Sequence, residues 1–440
     1  MKFVADLHIH SKYSRATSRD MDIDHLNKWA KIKGIKVLGT GDFTHHLWLK
    51  ELKEKLEPAE PGLFKLKKKI QITSKKDDWL PDNSNGDDQD QATRFLLSGE
   101  ISCIYSKNNR VRKIHVIILA PSFKVVEKIN TRLGWIGNIK SDGRPILGLD
   151  VKELLKIVLT ISGDCLIIPA HIYTPWFSLF GANSGFDSIE ECFEEYSNYI
   201  YAVETGISSD PLMNWRWSAL DKITLISNSD SHSPWRIGRE ANIFDTDLSY
   251  QGIADVIKNS SPSKFLETIE FFPEEGRYYY DGHRKCGIVL TPSKSKKIKS
   301  ICPKCKKPLT IGTLHRIDDL ADRNEGYQPD QAIPFRRMIP LDEIIADAKG
   351  VGPSTKTVKR EYKNLIQNFG TEFEILLNVN LEHIERVSSP EIAEGINRVR
   401  QSKVDIDPGY DGEYGQIKIF KDKERGSFSK QASLFRIYIF

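Results

Sequence analysis

The chain has 440 residues, of which 39% are hydrophobic and 28% are charged, and its formal net charge is +4. These values are ordinary for a folded globular protein and give no reason to expect disorder. The sequence has neither a signal-peptide pattern nor a run of about twenty apolar residues, which argues against secretion and against a membrane span, so we expect a cytoplasmic protein. The length favours two or three domains.

Residues 1–270 alternate short apolar runs with amphipathic helical stretches. The first run, MKFVADL, is followed by the helical pattern DIDHLNKWAKIKG and then by the run IKVLGT. This alternation is typical of a parallel sheet or an α/β barrel. Further predicted strands, in chain order, are RFLLSGEIS, KIHVIIL, CLIIPAH, IYAVET and ITLISNSD. We therefore predict one α/β domain over these 270 residues.

The sequence changes in character near Phe271. An aromatic stretch, GRYYYDGHRKCG, precedes the lysine-dense KSKKIKSICPKCKK, and we predict a small second domain over residues 271–335. The pattern LDEIIADAKGVGPSTKTVKREYKNLIQNFG then predicts a mainly helical region over residues 336–440. Within it, GVGP at Gly350–Pro353 is similar to a helix-hairpin-helix turn, whose glycine amides receive a phosphate, and a plain helix-capping turn fits the pattern equally well.

The six cysteines form two groups. The first lies among apolar neighbours, as small buried thiols do, and comprises Cys103, Cys165 and Cys192. The second has the count and paired spacing of a closed structural zinc site and comprises His283, Cys286, Cys302 and Cys305. His315 is an alternative to His283 as a ligand. This usage predicts zinc in a reducing compartment rather than a disulfide framework.

Two histidines, His8 and His10, stand one residue apart in DLHIHS at the end of the first predicted strand. Because side chains alternate between the faces of a strand, both can bind one ion. Such a pair alone is more often a solvated strand edge, so the metal hypothesis depends on the later strands. These end in or just before ligand-type residues, namely Asp42, Glu100, His171, Asp230 and His232.

In an α/β barrel the C-terminal ends of the strands form one rim, so these residues would surround a single pocket. His115 and Glu204 could join them or could be satisfied interior polar groups. Mixed His, Asp and Glu ligands without a thiolate suit zinc, manganese or iron, and carboxylates that bridge two ions suit hydrolysis. The expected chemistry is phosphoester hydrolysis.

The segments DLHIHS, GTGD, GE, AH and SDSH resemble, in this order, the metal-binding motifs of the polymerase and histidinol phosphatase (PHP) superfamily. The resemblance implies a distorted seven-stranded (β/α) barrel with up to three ions, and we expect Zn, Mn or Mg. The first ion would be held by His8, His10, Glu100 and Asp230. The second would be held by Glu100, His115 and His171, and a third site would contain Asp42 and His232.

Two positions depart from the superfamily pattern. GTGD places Asp42 where a histidine is usual, and Arg15 or Ala16 stands where a further ligand is expected. The residues expected to carry catalysis are Glu100, Asp230 and His171.

The downstream segments YYYDGHRKCG, CPKCKKPLTIGTLHR, GVGP and PGYDGEYG resemble the endonuclease Q family, which are DNA repair nucleases with a PHP domain. The likeness extends over nearly the whole chain. It implies metal-dependent incision of DNA on the 5′ side of uracil, hypoxanthine, xanthine and abasic sites.

Seven lysines surround the predicted zinc site: Lys294, Lys296, Lys297, Lys299, Lys304, Lys306 and Lys307. A lysine run is usually a solvated face, but a basic zinc domain beside a phosphoesterase pocket suits the DNA backbone. Lys297 and Lys299 are our candidates for this contact.

The segment IYTPWFSLFGANSGF follows His171 and is rich in aromatic and small residues. An enzyme that acts on a damaged base needs flat side chains to bind the base outside the stack. The candidates for this pocket are Tyr173, Trp176, Phe177 and Phe180. Packing of these rings in the core is the alternative.

Near the end of the sequence, QASLF at Gln431–Phe435 resembles the short peptide by which repair enzymes bind a sliding clamp, either the bacterial β-clamp or archaeal PCNA. A terminal β-strand is the alternative, because FRIYIF has strand character.

Two other functions compete with DNA repair. A phosphatase or nuclease of the same superfamily acting on other phosphoesters should lack a DNA-binding domain, and the zinc and lysine pattern argues against it. A lesion-binding protein without catalysis is the other alternative, and the complete set of ligand-type residues argues against that.

Overall fold

The computed structural model describes residues 1–68, 92–421 and 423–424. The strands are β1 (Lys2–Asp6), β2 (Ile35–Gly39), β3 (Leu56–Pro58), β4 (Phe64–Leu66), β5 (Arg94–Lys107), β6 (Arg110–Ala120), β7 (Ile146–Leu147), β8 (Leu166–Pro169), β9 (Ala202–Glu204), β10 (Thr224–Ile226), β11 (Ala241–Asp245), β12 (Phe265–Glu270), β13 (Asp281–His283), β14 (Ile288–Leu290), β15 (Phe335–Arg337), β16 (Asp405–Asp407) and β17 (Gln416–Lys418). The helices are α1 (Ile23–Lys33), α2 (His46–Lys55), α3 (Phe123–Gly134), α4 (Val151–Ile161), α5 (Ile189–Phe193), α6 (Pro211–Asn214), α7 (Tyr250–Asn259), α8 (Pro292–Lys297), α9 (Thr313–Leu320), α10 (Leu341–Lys349), α11 (Lys356–Phe369), α12 (Glu372–Leu377), α13 (Leu381–Val387) and α14 (Pro390–Arg400).

A mixed sheet forms the core of the first 270 residues. β1, β2 and β5 are parallel neighbours, and β6 and β8 extend the sheet antiparallel from β5. On the other side, β11 and β12 extend it antiparallel from β1. Among the described residues, eleven strands belong to this sheet, and β9 and β10 form a separate parallel pair. The α/β class is confirmed, the sheet is not wholly parallel, and closure into a seven-stranded barrel stays a prediction.

The antiparallel hairpin of β5 and β6 explains the departure from a parallel sheet. Asn108 and Asn109 connect the two strands with φ of 54° and 56°, which is the conformation of a two-residue hairpin turn that asparagine tolerates. Ser102 pairs with His115 across the hairpin. Since residues two apart share a face of a strand, Glu100 and His115 lie on the same face.

Helix α1 connects β1 to β2. The side chain of Asp22 accepts hydrogen bonds from the backbone N–H groups of Asp24 and His25 and so begins the helix, and Gly34, with φ of 87°, ends it. The apolar side chains Ile23, Leu26, Trp29 and Ala30 are buried against the sheet. This connection returns the chain so that β2 runs parallel to β1.

Residues after 270 pack closely on the first domain. β15 pairs in parallel with β12 and so joins the main sheet, although it lies at the predicted end of the second domain. Helices α10 to α14 confirm the mainly helical C-terminal region. A buried ion pair, 2.9 Å between Lys33 Nζ and Glu372 Oε2, connects that region to α1. The predicted domain boundaries themselves stay a prediction.

The GVGP segment ends one helix and precedes the next. Gly350 has φ of 64°, and its N–H donates to the carbonyl oxygens of Ala346 and Asp347 at the end of α10. Thr355 then begins α11 by accepting a hydrogen bond from Val358 N. This is the helix-capping geometry, and it leaves a phosphate contact as a prediction.

Within the described part of the chain, no helix is both long and apolar enough to cross a membrane.

Candidate metal centre

The structure brings six of the predicted ligands together. Four of them follow the ends of β1, β8 and β10, namely His8, His10, His171 and Asp230. Glu100 and His115 instead lie within β5 and β6, so the prediction that a strand ends at Glu100 was wrong. They form two groups, one of His8, His10, Glu100 and Asp230, and the other of Glu100, His115 and His171. In each group the ligand atoms lie within 4.8 Å of one another. Glu100 belongs to both groups, so a single carboxylate connects them.

The two oxygens of Glu100 face different histidines. Oε2 lies 3.2 Å from His10 Nε2 and 3.6 Å from His8 Nε2. Oε1 lies 2.7 Å from His115 Nδ1 and 3.4 Å from His171 Nε2. Since each oxygen points into a different group, the carboxylate has the geometry to bridge two cations.

Unsatisfied buried atoms test whether these residues fit a metal. Four buried atoms of the two groups make no hydrogen bond of acceptable geometry in the described structure, although they lie close to one another or to other ligand atoms: His8 Nε2, His10 Nε2, Glu100 Oε1 and Asp230 Oδ1. A buried polar atom without a partner costs about 1–3 kcal/mol. A cation bound among these lone pairs would remove that cost, and the donor set of imidazole nitrogens and carboxylate oxygens suits Zn or Mn. The residues therefore fit a divalent metal.

Two carboxylates outside the groups orient the histidine rings. Glu204 accepts a hydrogen bond of 3.0 Å from His8 Nδ1, and Asp42 accepts one of 3.0 Å from His10 Nδ1. Each contact leaves Nε2 facing the cluster, as metal-binding histidines require. The role of Glu204, which the sequence left open, is thus a positioning role in this structure.

Asp42 and His232 lie outside both metal groups. The second oxygen of Asp42 accepts hydrogen bonds from Ser11 N at 2.6 Å and from Ser14 Oγ at 2.9 Å. His232 donates from Nδ1 to the backbone oxygen of Asp230, and its ring centroid lies 4.5 Å from that of His10. Their predicted place in a third ion site stays a prediction.

Three of the predicted site residues have an uncommon backbone conformation. Asp42, His171 and Asp230 have φ of 48°, 32° and 45°. Such values are unfavourable for residues with a side chain, and they persist where the surrounding contacts enforce them. These turns lie shortly after strands. They place His171 and Asp230 in the metal groups and place Asp42 where it holds the His10 ring.

Burial and charge shift the pKa values of the cluster. Burial opposes a charge on His8 and on His10, but the neighbouring carboxylates outweigh it and raise both pKa values well above the usual range. Burial also raises the pKa of Glu100, but the neighbouring His115 and Arg144, together with hydrogen bonds from the histidines, outweigh burial and hold that pKa well below its usual value. Protons and a metal ion therefore compete for the same nitrogens, and metal affinity should increase with pH.

His115 behaves differently from the other histidines. Burial lowers its pKa to about 4, and the charge of Glu100 only partly opposes this shift. The imidazole is therefore neutral at pH 7 and has a lone pair available for an ion.

Sequence reasoning missed Arg144. Its Nη1 donates a hydrogen bond of 3.0 Å to Glu100 Oε2, although it is distant from Glu100 in sequence and follows no strand of its own. The Asp-Gly turn in SDGRP was the only local signal, and it does not indicate a site.

The aromatic segment after His171 is divided between core and surface. Tyr173 and Phe180 are fully buried, and the Phe180 ring lies 4.9 Å from that of Trp217. These two rings are packed in the core and do not line an open pocket, as the packing alternative expected. Trp176 is 39% exposed, and the half-buried Phe177 ring lies 4.9 Å from that of His115.

The predicted zinc ligands also come together. The ligand atoms of His283, Cys286, Cys302 and Cys305 lie within 4.8 Å of one another. His283 presents Nδ1, 3.6 Å from Cys305 Sγ. His315 instead makes a hydrogen bond to Asp281, so the structure favours His283 over that alternative.

Lys297 and Lys299 are exposed beside this site. Among the other lysines, Lys296 pairs with Asp319 at 2.8 Å, and Lys304 donates to the backbone oxygen of Cys286 at 2.7 Å. The segment Gln431–Phe435 lies outside the described residues.

Comparison with known proteins gives two matches to solved structures and two matches by sequence. The fold is similar to the crystal structure of the lesion-specific endonuclease PfuEndoQ from Pyrococcus furiosus, with 30% sequence identity, a TM-score of 0.81 and coverage of 98% of this chain and 99% of that chain. A crystal structure of endonuclease Q in complex with a 27-mer duplex substrate, which has an abasic lesion at the active site, matches with 30% identity and a TM-score of 0.81 over 98% of this chain and 100% of that chain.

The other two matches are by sequence. A family model described as the MJ0043 C-terminal domain matches residues 340–403, which contain α10 to α14. The uncharacterized protein MJ0043 of Methanocaldococcus jannaschii is 31% identical over 328 residues, or 70% of this chain. The chain spans 40% of the length of that relative.

Proposed function

The chain belongs to the endonuclease Q family, and from this premise we propose that it is a DNA repair endonuclease that hydrolyses the phosphodiester bond on the 5′ side of a damaged nucleotide. The damaged nucleotides would be the deaminated bases uracil, hypoxanthine and xanthine, and abasic sites. The observation that carries the proposal is the pair of metal groups joined by Glu100. The likeness to an endonuclease Q whose duplex substrate has an abasic lesion at the active site supports damaged DNA as the substrate class.

Two divalent ions, Zn, Mn or Mg, would lower the pKa of a water molecule and neutralise charge on the phosphate when bound. The residues of this chain would fix where that happens. Glu100 would hold both ions, with Asp230 on the first and His171 on the second. Glu204 would keep His8 in the required tautomer and orientation by its 3.0 Å hydrogen bond.

The same proposal gives roles to the other parts of the chain. Residues 1–270 would form the (β/α) barrel domain of the PHP superfamily, and residues 271–335 would bind a structural zinc ion. The exposed Lys297 and Lys299 would contact DNA phosphates, which release counterions on binding to a cation. Gln431–Phe435 would bind a sliding clamp, either the bacterial β-clamp or archaeal PCNA.

An incision assay tests the function directly. Purified protein with Mn²⁺ or Mg²⁺ is incubated with end-labelled duplexes that contain one uracil, one hypoxanthine, one abasic site or no lesion. We expect a single cut immediately 5′ to each lesion and no cut in the undamaged duplex. Release of phosphate from small esters would favour the phosphatase alternative, and binding without cutting would favour the non-catalytic one.

The exposed ring of Trp176 predicts how a damaged base is recognised. Stacking of a base on an aromatic ring contributes about 1–3 kcal/mol, so Trp176→Ala should lower incision at uracil and hypoxanthine by roughly 5- to 150-fold. Incision at an abasic site should change less, because no base is present to stack. Single-turnover rates on the three duplexes measure this difference.

A matched control is Trp135→Ala, because Trp135 is also exposed but lies at the end of α3. Zinc content and melting temperature should be unchanged in both variants. Equal losses of Trp176→Ala on all three lesions would show that Trp176 does not bind the base.

A further inference from the structure

Arg144 lies in a loop that is fixed on both sides of it. Gly143 N donates to Tyr13 O at 3.0 Å, and Thr44 Oγ1 donates to Gly143 O at 3.1 Å. On the other side, Ser102 N donates to Pro145 O at 3.0 Å. The backbone at Arg144 is therefore held against β5 near Glu100.

Gly143 allows this close approach. A Cβ atom there would lie 2.3 Å from Asp42 Oδ2 and 2.3 Å from Ser14 Oγ, so no side chain fits. The loop thus contacts the residues that hold His10. The contacts of this loop with residues of the metal centre fix its backbone. A catalytic side chain must be held in place by such a fixed backbone.

The guanidinium group connects the buried cluster to solvent. Nη1 lies 3.0 Å from Glu100 Oε2, and the Arg144 side chain is 28% exposed whereas that of Glu100 is 0% exposed. In the described structure, Nε and Nη2 of Arg144 make no hydrogen bond. Of the described lysines and arginines, Arg144 is the one that pairs with a carboxylate of the metal groups. A permanent cation therefore has unused N–H groups at the edge of the cluster.

We propose that Arg144 is a catalytic residue that binds a non-bridging oxygen of the scissile phosphate, an inference that rests on the function proposed above. In the hydrolysis, a water oxygen bonds to phosphorus while the bond from phosphorus to the leaving sugar oxygen breaks. One proton of the water passes to solvent and the leaving oxygen gains one. Negative charge grows on the non-bridging oxygens in the transition state, and a guanidinium fork stabilises it by charge-assisted hydrogen bonds.

A purely structural role is the competing explanation. Arg144 could do no more than neutralise Glu100 and hold its carboxylate in place. Loss of the side chain would then reduce metal binding or stability, and activity would fall for that reason. The two explanations differ in whether an added guanidinium ion, free in solution, can replace the lost group.

The experiment measures single-turnover incision of an abasic-site duplex by Arg144→Ala, with metal content by mass spectrometry and melting temperature by circular dichroism. We expect the rate to fall by about 100- to 1000-fold, with metal content and melting temperature unchanged. Millimolar guanidinium chloride should restore at least tenfold of the lost rate. The rate of Arg144→Lys should lie between those of the wild type and Arg144→Ala, because lysine keeps the positive charge but lacks the paired N–H donors of the guanidinium group.

Arg110→Ala is the matched control. It removes the same charge from the turn end of the β5–β6 hairpin, roughly 20 Å along the strand from Glu100 at about 3.3 Å per residue, and should keep the wild-type rate with no response to guanidinium.

The outcomes separate this inference from the proposed function. A wild-type protein that cuts no lesion duplex would overturn the proposed function and this inference with it. An active wild type with an Arg144→Ala rate within threefold would overturn the inference alone. Loss of metal, loss of folding or absence of guanidinium rescue in Arg144→Ala would also overturn it, in favour of the structural role.

Discussion

Glu100→Gln is expected to lower the incision rate by about 1000-fold or more, which corresponds to about 4 kcal/mol of transition-state stabilisation. The reason is that Glu100 is the one residue shared by both metal groups. Glutamine keeps the shape of the side chain but has no negative charge, and its amide N–H₂ would face lone pairs that a cation should occupy. Both ions should therefore bind more weakly.

Metal content distinguishes this cause from misfolding. We expect mass spectrometry to show loss of the active-site ions from Glu100→Gln while the melting temperature stays within a few degrees of the metal-free wild type. Glu127→Gln is the matched control. It makes the same chemical change on the exposed surface of α3, where Glu127 pairs with Lys53. If Glu100→Gln kept its ions and a rate within tenfold of wild type, Glu100 would not be the bridging ligand.

The strand ends explain why so much of the centre was predictable. Four ligands, His8, His10, His171 and Asp230, follow the ends of β1, β8 and β10, and the ends of neighbouring strands meet in space whatever the loops between them do. Glu100 was predicted to end its strand, but β5 continues to Lys107, and Glu100 reaches the site from the strand face that it shares with His115. The sequence therefore predicts which residues converge. The resemblance to the PHP superfamily already places Glu100 in both predicted ion sites. The structure adds which of its oxygens faces which histidine, because Oε2 lies near His10 and Oε1 lies near His115.

Other features depend on contacts between distant segments. Arg144 reaches Glu100 because Gly143 packs on Asp42, and no period of polar and apolar residues encodes such a contact. Asp42 has a carboxylate and follows a predicted strand, as a metal ligand would. Its oxygens nevertheless accept hydrogen bonds from His10, Ser11 and Ser14. Local patterns indicate the type of a side chain, whereas its partner depends on the assembled fold.

In the fold, too, the local features were predicted from the sequence and the long-range arrangement was not. Each apolar run that was predicted as a strand is one, because β-type runs with ligand or turn residues at their ends are a local signal. The direction of β6 was not predicted, because it depends on the two positive φ values at Asn108 and Asn109. Read as a hairpin turn, the asparagine pair in KNNR could have indicated the antiparallel hairpin.

Cys302→Ser is expected to remove about one zinc ion per chain and to unfold residues 281–312 locally. The buried hydrophobic residues in this range are only Cys302 and Leu309, which is far too little apolar surface to stabilise a fold by itself. A structural zinc site contributes about 10–16 kcal/mol in peptides of this kind at pH 7. The backbone around Cys302 is also formed by the site, since Cys302 N donates to Lys307 O at 2.8 Å and Lys306 N donates to Cys302 O at 2.9 Å.

Cys165→Ser separates this effect from the general cost of replacing a buried thiol, because Cys165 is buried next to β8 and belongs neither to the zinc cluster nor to the two metal groups around Glu100. We expect Cys165→Ser to keep its zinc and Cys302→Ser to lose it, with new protease cleavage confined to residues 281–312. DNA affinity should fall only in Cys302→Ser, because Lys297 and Lys299 lie in the segment that loses its structure. Full zinc content in Cys302→Ser would contradict the four-ligand site, whereas zinc loss without weaker DNA binding would leave the site intact and remove the lysines from the DNA interface.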